Sequence, residues 1–298
     1  MNTEENKALV RRYLKEAWDD GNVDVIDQLL SPDFTSLNVP PGTVPDRANE
    51  KQLVRSFLDA FGSFQSTIED QIAEGNTVVT RWTAVGQHQA PFFGIPPTGK
   101  LVHMKGTEMA HVRDGQIYEI HANFDMVGLL QALGAIPGGG GEPPAALESP
   151  KVAATRPPNP EENKEILRRL IEDFWNGRRM EVADELVLPQ AVSPSAPQLP
   201  PGPQGFKDIA AMVFAGFPDF RMSIKEIVAE GDRVAALYDE NGTNSGDFLG
   251  IPATGKQATW SEFGILRIVD GKIIETWFET DMGTLMAQLG LVPAPAGA

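Results

Sequence analysis

Apolar residues recur along the first 137 positions in two successive rhythms, and the change of rhythm sets the fold class. Leu9, Tyr13, Leu14 and Ala17 fall at helical spacing, and Val25, Ile26, Leu29 and Leu30 make a second stripe that stops at Ser31-Pro32. A third helix is predicted from about Lys51 to Phe61, ending near Gly62. Alternation with period two then takes over, predicting strands over roughly 64–73, 76–88, 100–112 and 116–125, with Glu74-Gly75 and Asp114-Gly115 as hairpin turns. Helices followed by a meander is the order of an α+β domain. Such a meander curls around its helices as a conical barrel, mainly antiparallel, with a central pocket.

The same rhythm returns in the second half. FFGIPPTGK (92–100) reappears as FLGIPATGK (248–256), RDGQIYEIHANFDM (113–126) as VDGKIIETWFETDM (269–282), and GLLQALGAIP (128–137) as TLMAQLGLVP (284–293), all at one offset of 156 residues. Upstream, ENKALVRRYLKEAW (5–18) answers ENKEILRRLIEDFW (162–175), and AEGNTVV (73–79) answers AEGDRVA (229–235). One offset held over distant segments is duplication. The domains are therefore 1–137 and 161–298, joined by the Gly/Pro/Ala-rich linker 138–160, whose four glycines favour flexibility and whose prolines favour extension.

Composition narrows the partners. The chain has 298 residues, 41% of them hydrophobic, as in folded domains. Its net charge is −16, spread as about −7 over 1–137 and about −9 over 161–298. That balance argues against nucleic acid and anionic membranes. With no cysteine, disulfides, Cys-based metal sites and Cys nucleophiles are excluded. The N-terminal segment lacks the apolar core of a signal peptide and no apolar run reaches membrane-spanning length, so a cytoplasmic protein is expected. P-loop, GxGxxG, HExxH and GxSxG signatures are absent, and neither a metal nor a cofactor is expected.

Candidate chemistry lies on the strands. Simple alternation places Ile117, Glu119, His121, Asn123 and Asp125 on one face, and Ile273, Glu275, Trp277, Glu279 and Asp281 on the matching face of the second copy. An acid closes this strand in both copies, and at the floor of an apolar cone desolvation would raise its pKa toward the range of proton transfer. Each Asp also precedes a short apolar segment ending in Leu-Gly, which is the pattern of a helix N-cap. Cap and catalyst both remain open for Asp125 and Asp281, and one carboxylate can serve both. His88 shares strand parity with Val78, Thr80, Trp82 and Ala84, the expected pocket face, where the second copy has Asn244. His103 and His111 fall opposite Met104 and Glu108 and read as surface. A second acid has moved along the next strand: Gly106 and Glu108 in the first copy stand against Glu262 and Gly264 in the second, all of one parity. Trp82, Tyr238, Trp260 and Trp277 are substrate-stacking candidates, though large aromatics are more often core.

These segments resemble the SnoaL-like polyketide cyclase (ester cyclase) family of the nuclear-transport-factor-two-like superfamily. The carriers are FFGIPPTGK and FLGIPATGK, then DGQIYEIHANFD and DGKIIETWFETD, then LGAIP and LGLVP, against family patterns of the form GTHxGxFxGIPPTG and DGKIxExWxxxD. The resemblance implies a conical α+β barrel and a cofactor-free aldol ring closure of a polyketide, with the strand-end Asp as general acid/base, matched by Asp125 and Asp281. The family's GTH histidine matches His88; Asn244 departs from it, and His121 replaces a Trp that Trp277 retains.

The expected function is thus a cofactor-independent acid/base enzyme for a small apolar, oxygenated substrate, with cyclisation first and isomerase or dehydratase chemistry close by. Catalysis is assigned to Asp125, His88 and Asp281. Substrate contact is assigned to Trp82, Glu108, His121, Asn123, Tyr238, Asn244, Trp260, Glu262 and Trp277. The competing class is a non-catalytic module that sequesters a hydrophobic metabolite. The duplication also leads us to expect an intrachain pseudo-dimer, with further homo-oligomers open.

Overall fold

The computed structural model describes residues 2–37, 44–136, 147–250 and 252–291. The chain divides between residues 143 and 144 into two compact units. Residues 138–146 of the expected linker lie outside the described residues. Its end belongs to the second unit: the Thr155 and Arg156 amides and the Thr155 hydroxyl donate to the Asp270 carboxylate, and Arg156 pairs with Glu162 at 2.5 Å.

The first unit opens with α1 (Thr3–Tyr13), capped by a reciprocal pair in which Asn2 accepts the Glu5 amide and Glu5 accepts the Asn2 amide. The helix continues with π-type winding over Leu14–Asp19, then a short turn at Val23–Val25 and α2 (Ile26–Leu29). After β1 (Leu30–Leu37) come α3 (Arg47–Phe61), β2 (Gln65–Glu74), β3 (Thr77–Gln87), β4 (Leu101–Arg113), β5 (Gln116–Phe124) and α4 (Met126–Leu133). The predicted stop at Ser31-Pro32 is a strand instead. It pairs parallel to β5 at the sheet edge, where a proline need not donate to a ladder. The sheet order is β1-β5-β4-β3-β2, antiparallel apart from that edge. Asp114 and Gly115 turn the β4–β5 hairpin with φ of 52° and 78°, the left-handed pair expected of Asp-Gly.

The second unit repeats the plan. It runs α5 (Pro160–Arg169), a π-type turn (Leu170–Asn176), α6 (Glu181–Leu186), β6 (Val187–Val192), α7 (Pro203–Gly216), β7 (Arg221–Glu230), β8 (Arg233–Thr243), β9 (Gln257–Val269), β10 (Lys272–Thr280) and α8 (Met282–Leu289), with sheet order β6-β10-β9-β8-β7. Each unit is a five-stranded mixed sheet curled around its helices, the tandem α+β cone. The helix stripes read from sequence meet the concave sheet face: Leu9, Tyr13, Leu14, Val25, Ile26 and Leu29 pack with Val78, Ala110, Val112, Ile117 and Ile120. Nearer the open strand ends Phe57, Phe61, Phe64 and Phe92 cluster with Ala84, Met104 and Leu129.

One irregularity decides which side chains enter the cone. Val112 pairs with Ile117 but His111 pairs with Glu119, so β5 carries one extra residue and its alternation reverses. The second copy has the same bulge: Ile268 pairs with Ile273, and Arg267 with Glu275. Beyond the bulge the concave face of β5 carries Ile120, Ala122 and Phe124. The single-face set expected from plain alternation is therefore broken.

Candidate active site

The concave face of the first unit can be read from cross-strand partners, which share a face. Thr80 stands opposite Glu108, Trp82 opposite Gly106, and Ala84 opposite Met104 on β3–β4; Gly106 faces Phe124 and Glu108 faces Ala122 on β4–β5. Trp82 and Glu108 thus share the concave face. Glu108 is 5% exposed and its Oε1 has no hydrogen-bond partner among the described residues; the buried Trp82 Nε1 has none either. Burial, and then the nearby Glu50, push the Glu108 carboxyl up to about 8. It therefore holds its proton at neutral pH.

Two residues that the sequence reading passed over complete this cluster. The Tyr13 hydroxyl donates to Glu50 Oε1 at 2.5 Å, both side chains being buried. Burial raises the Glu50 carboxyl while its bonds from Tyr13 and Ser36 pull it down; burial likewise raises the Tyr13 phenol, reinforced by Glu50 and Glu108. Tyr13 reads as one more apolar stripe residue, and Glu50 falls just ahead of the predicted start of the third helix. The only available signal was a Glu facing the same way as Val54 and Phe57 on α3, four and seven residues on.

The second unit holds a different set. Tyr238 stands opposite Glu262 and Glu240 opposite Trp260. The Thr280 hydroxyl donates to Glu262 Oε2 at 2.5 Å, and Trp260 donates to Glu240. Burial lifts Glu262 to about 7 against the Thr280 bond, and holds Glu240 well above the ordinary carboxylate range, with the Glu262 charge adding to it and the Trp260 bond opposing it. Tyr238, Trp260 and Glu262, named from sequence as substrate contacts, thus lie on one face. Glu240, where the first copy has Ala84, was not anticipated.

A steric rule links the aromatic, the glycine and the acid. A Cβ on Gly106 would lie 2.6 Å from the Trp82 ring, and one on Gly264 would lie 2.8 Å from the Tyr238 ring. The ring needs a glycine beneath it, so the carboxyl takes the other concave position on that strand: 108 in one unit, 262 in the other.

The remaining candidates sit elsewhere. His121 and Asn123 pair with Met109 and Thr107, and Trp277 and Glu279 pair with Ile265 and Phe263, on the sheet face turned away from each unit's own helices. This corrects the face expected for them, and the bulge is the reason. Asp125 and Asp281 cap α4 and α8: Asp125 Oδ1 accepts the Gly128 amide at 2.7 Å and Asp281 Oδ1 the Thr284 amide at 2.9 Å. The Asp125 side chain is 34% exposed and lies 3.7 Å from the Lys105 ammonium, so it is not the enclosed floor acid that was expected.

His88 is fully buried against Phe61, ring centroids 5.2 Å apart, and its Nδ1 accepts the Thr98 amide at 3.2 Å. In the neutral ring the proton then resides on Nε2, which has no partner among the described residues. Asn244 does the same work, its Oδ1 accepting the Thr254 amide at 2.8 Å. Both residues also clamp their loops by backbone bonds, His88 with Gly99 and Lys100, Asn244 with Gly255 and Lys256. The GIPPTG and GIPATG segments are thus loop closures, and the His-to-Asn change preserves the anchoring bond. His103 is exposed, whereas His111 is half-buried with Nε2 4.0 Å from Glu119. Among the described residues no three His, Asp or Glu side chains converge as a metal site, and no helix is long and apolar enough to cross a membrane.

Comparison with known proteins gives this geometry its context. A family model described as SnoaL-like polyketide cyclase matches residues 8–133 and 165–289. The aklanonic acid methyl ester cyclase DauD of a Streptomyces species is 31% identical over 114 residues, covering 37% of this chain and 70% of that protein. The aklanonic acid methyl ester cyclase DnrD of Streptomyces peucetius is 30% identical over 114 residues, covering 37% and 77%. The crystal structure of AclR from Streptomyces galilaeus is 29% identical, covers 46% of this chain and 100% of that one, and superposes with a TM-score of 0.42.

Proposed function

The chain belongs to the SnoaL-like polyketide cyclase family, and on that premise we propose that its first unit closes a ring in a polyketide ester by intramolecular aldol addition, with side-chain carboxyls moving the protons. The observation that supports this most is Glu108: a protonated carboxyl with an unpartnered oxygen, beside an unpartnered indole N–H, on the concave face of an aromatic-rich cone. A base removes the proton from the carbon next to a carbonyl, and the enolate carbon attacks a ketone of the same molecule. Glu108 then delivers its proton to the alkoxide that forms. Atoms balance without oxidant, reductant or cofactor. The resemblance assigns the base to Asp125, whose Oδ1 caps α4 while its Oδ2 lies 3.7 Å from the Lys105 ammonium; Asp281 is its counterpart.

The test is turnover of an aromatic polyketide methyl ester, followed by chromatography and NMR, for Glu108→Gln beside Asp125→Asn. Loss of about 10²–10⁴-fold in Glu108→Gln is expected for proton transfer. Full turnover in both variants would overturn the acid/base reading, and ligand binding without turnover in the unaltered chain would favour the sequestration module. The intrachain pseudo-dimer inferred from duplication is a proposal for solution scattering of the whole chain; two beads tumbling independently would refute it.

A further inference from the structure

The concave polar groups of the second unit are not a degraded copy of those in the first. At the 156-residue offset Glu240 replaces Ala84, Glu262 replaces Gly106 and Thr280 replaces Phe124, while Phe206 replaces Glu50; at the 157-residue offset of the first helix, Leu170 replaces Tyr13. The hydrogen-bonded helix pair has gone, and two carboxyls have appeared on neighbouring strands. With Tyr238 opposite Glu262 and Glu240 opposite Trp260, the two glutamates are diagonal neighbours, within reach of each other's long side chains.

Each carboxyl has its own donor, Thr280 for Glu262 and Trp260 for Glu240, so the pair is held in place. Glu240 is 5% exposed and Tyr238 is 3% exposed. Burial, then the Glu262 and Glu240 charges, hold the Tyr238 phenol well above its ordinary range, so both carboxyls lie close to it. A buried phenol that holds its proton beside two acids supplies an O–H donor on the same concave face.

We propose that the second unit is a separate active site, in which Glu240 and Glu262 share one proton and move a proton between two carbons of an uncharged, enolisable carbonyl compound. This rests on the family's acid/base reading but on none of the first unit's residues. Two carboxyls this close do not both ionise readily, so one is base and the other acid. Glu262, which receives the Thr280 hydroxyl, is the carboxylate; the more enclosed Glu240 keeps the proton. Glu262 breaks the C–H bond α to the carbonyl and gains that proton, and the Tyr238 O–H donates to the enolate oxygen. Glu240 gives its proton to the γ carbon, so the double bond migrates into conjugation. One proton is taken and one returned, the pair ends as it began with the roles exchanged, and no co-reactant is needed. An anionic substrate would be repelled by the carboxylate, hence the preference for a neutral one.

The experiment uses the full chain carrying Glu108→Gln, so that the first unit is silent, with cyclohex-3-enone as probe and the ultraviolet absorbance of the conjugated product as readout. Isomerisation is expected to persist in this chain. Adding Glu240→Gln or Glu262→Gln should lower it by about 10²–10⁴-fold, and Tyr238→Phe should lower it less. Thr280→Val removes the donor to Glu262 and should move the rising limb of the pH profile to higher pH. That readout does not depend on whether the Gln variants fold well. Without Glu108→Gln, Glu240→Gln should leave the first unit's ring closure unchanged. Absence of isomerisation in the Glu108→Gln chain, or an unchanged rate in both Gln variants, would overturn the proposal, while loss of ring closure is scored separately.

Discussion

Glu108→Gln should remove the loss of stability that the parent chain suffers as pH rises, a consequence of burying this carboxyl near Glu50. The carboxyl is displaced from its ordinary 4.5 to about 8. At about 1.4 kcal/mol for each factor of ten in acidity, the ceiling on this displacement is about 5 kcal/mol. Local relaxation and water entry reduce such penalties, so about 2–3 kcal/mol is a reasonable working figure. Below pH 4.5 the group is protonated in the folded and unfolded chains alike, and nothing is lost. Between 4.5 and about 8 the unfolded chain ionises while the folded one keeps its proton, so stability falls as pH rises and levels off above about 8. Glutamine has nearly the shape of the protonated acid and cannot ionise. The variant should therefore match the parent chain near pH 5 and exceed it near pH 9, with Tm higher by about 5–10 °C. Calorimetry of both chains at pH 5, 7 and 9 is the assay. A difference that does not change with pH would refute the reasoning, as would a variant less stable at pH 9, because either result would mean that Glu108 is not a buried titrating group.

Three further outcomes follow from particular contacts. His88→Asn should keep the loop anchored as Asn244 does and change the denaturant midpoint little, whereas His88→Ala should cost about 1–3 kcal/mol through the stranded Thr98 amide. Asp125→Asn should preserve the α4 cap, with melting within about 0.5 kcal/mol of the parent, while Asp125→Ala costs about 1 kcal/mol; turnover of the Asn variant then reports chemistry alone. Gly106→Ala should displace the Trp82 ring, seen as a change in tryptophan fluorescence, and destabilise by about 1–3 kcal/mol, since its Cβ would lie 2.6 Å from that ring and 2.8 Å from the Asn123 carbonyl oxygen; unchanged fluorescence and melting would refute the close packing.

The helices, the four-strand meander and the duplication were legible because each rests on a local rhythm or a repeated string. The strand at Leu30–Leu37 was not, since Pro32 reads as a stop unless its edge position is known. Alternation along β3 and β4 was legible too: it put Trp82 on the concave face and gave Gly106 and Glu108 one parity, as the cross-strand pairs have them. On β5 one extra residue inverts the parity beyond Tyr118, and plain alternation carried His121, Asn123 and Trp277 to the wrong side. A bulge leaves no signature in a single strand, because it is defined by the register of two. Tyr13, Glu50 and Glu240 were missed for a related reason: a polar group on a core face looks like an error in the pattern until its partner on another element is seen.

Loop anchors and pocket chemistry have followed different rules in the two copies. The segments most alike in sequence, FFGIPPTGK and FLGIPATGK, build loops closed by His88 and Asn244, and a change from imidazole to amide left the anchoring bond intact. The concave acids have moved under a steric constraint, because a carboxyl cannot occupy the position beneath the ring of residue 82 or 238. Trp82 covers its direct cross-strand partner Gly106, which leaves 108 for the acid. The Tyr238 ring reaches the diagonal Gly264 instead, which leaves 262. That single relocation brings the acid beside position 240, where a second carboxyl can share its proton. In the first unit the same position is Ala84, and the acid at 108 has Glu50, already bound by Tyr13, as its neighbour. Choice of aromatic therefore fixes the height of the acid, and the height of the acid fixes which second group it can work with.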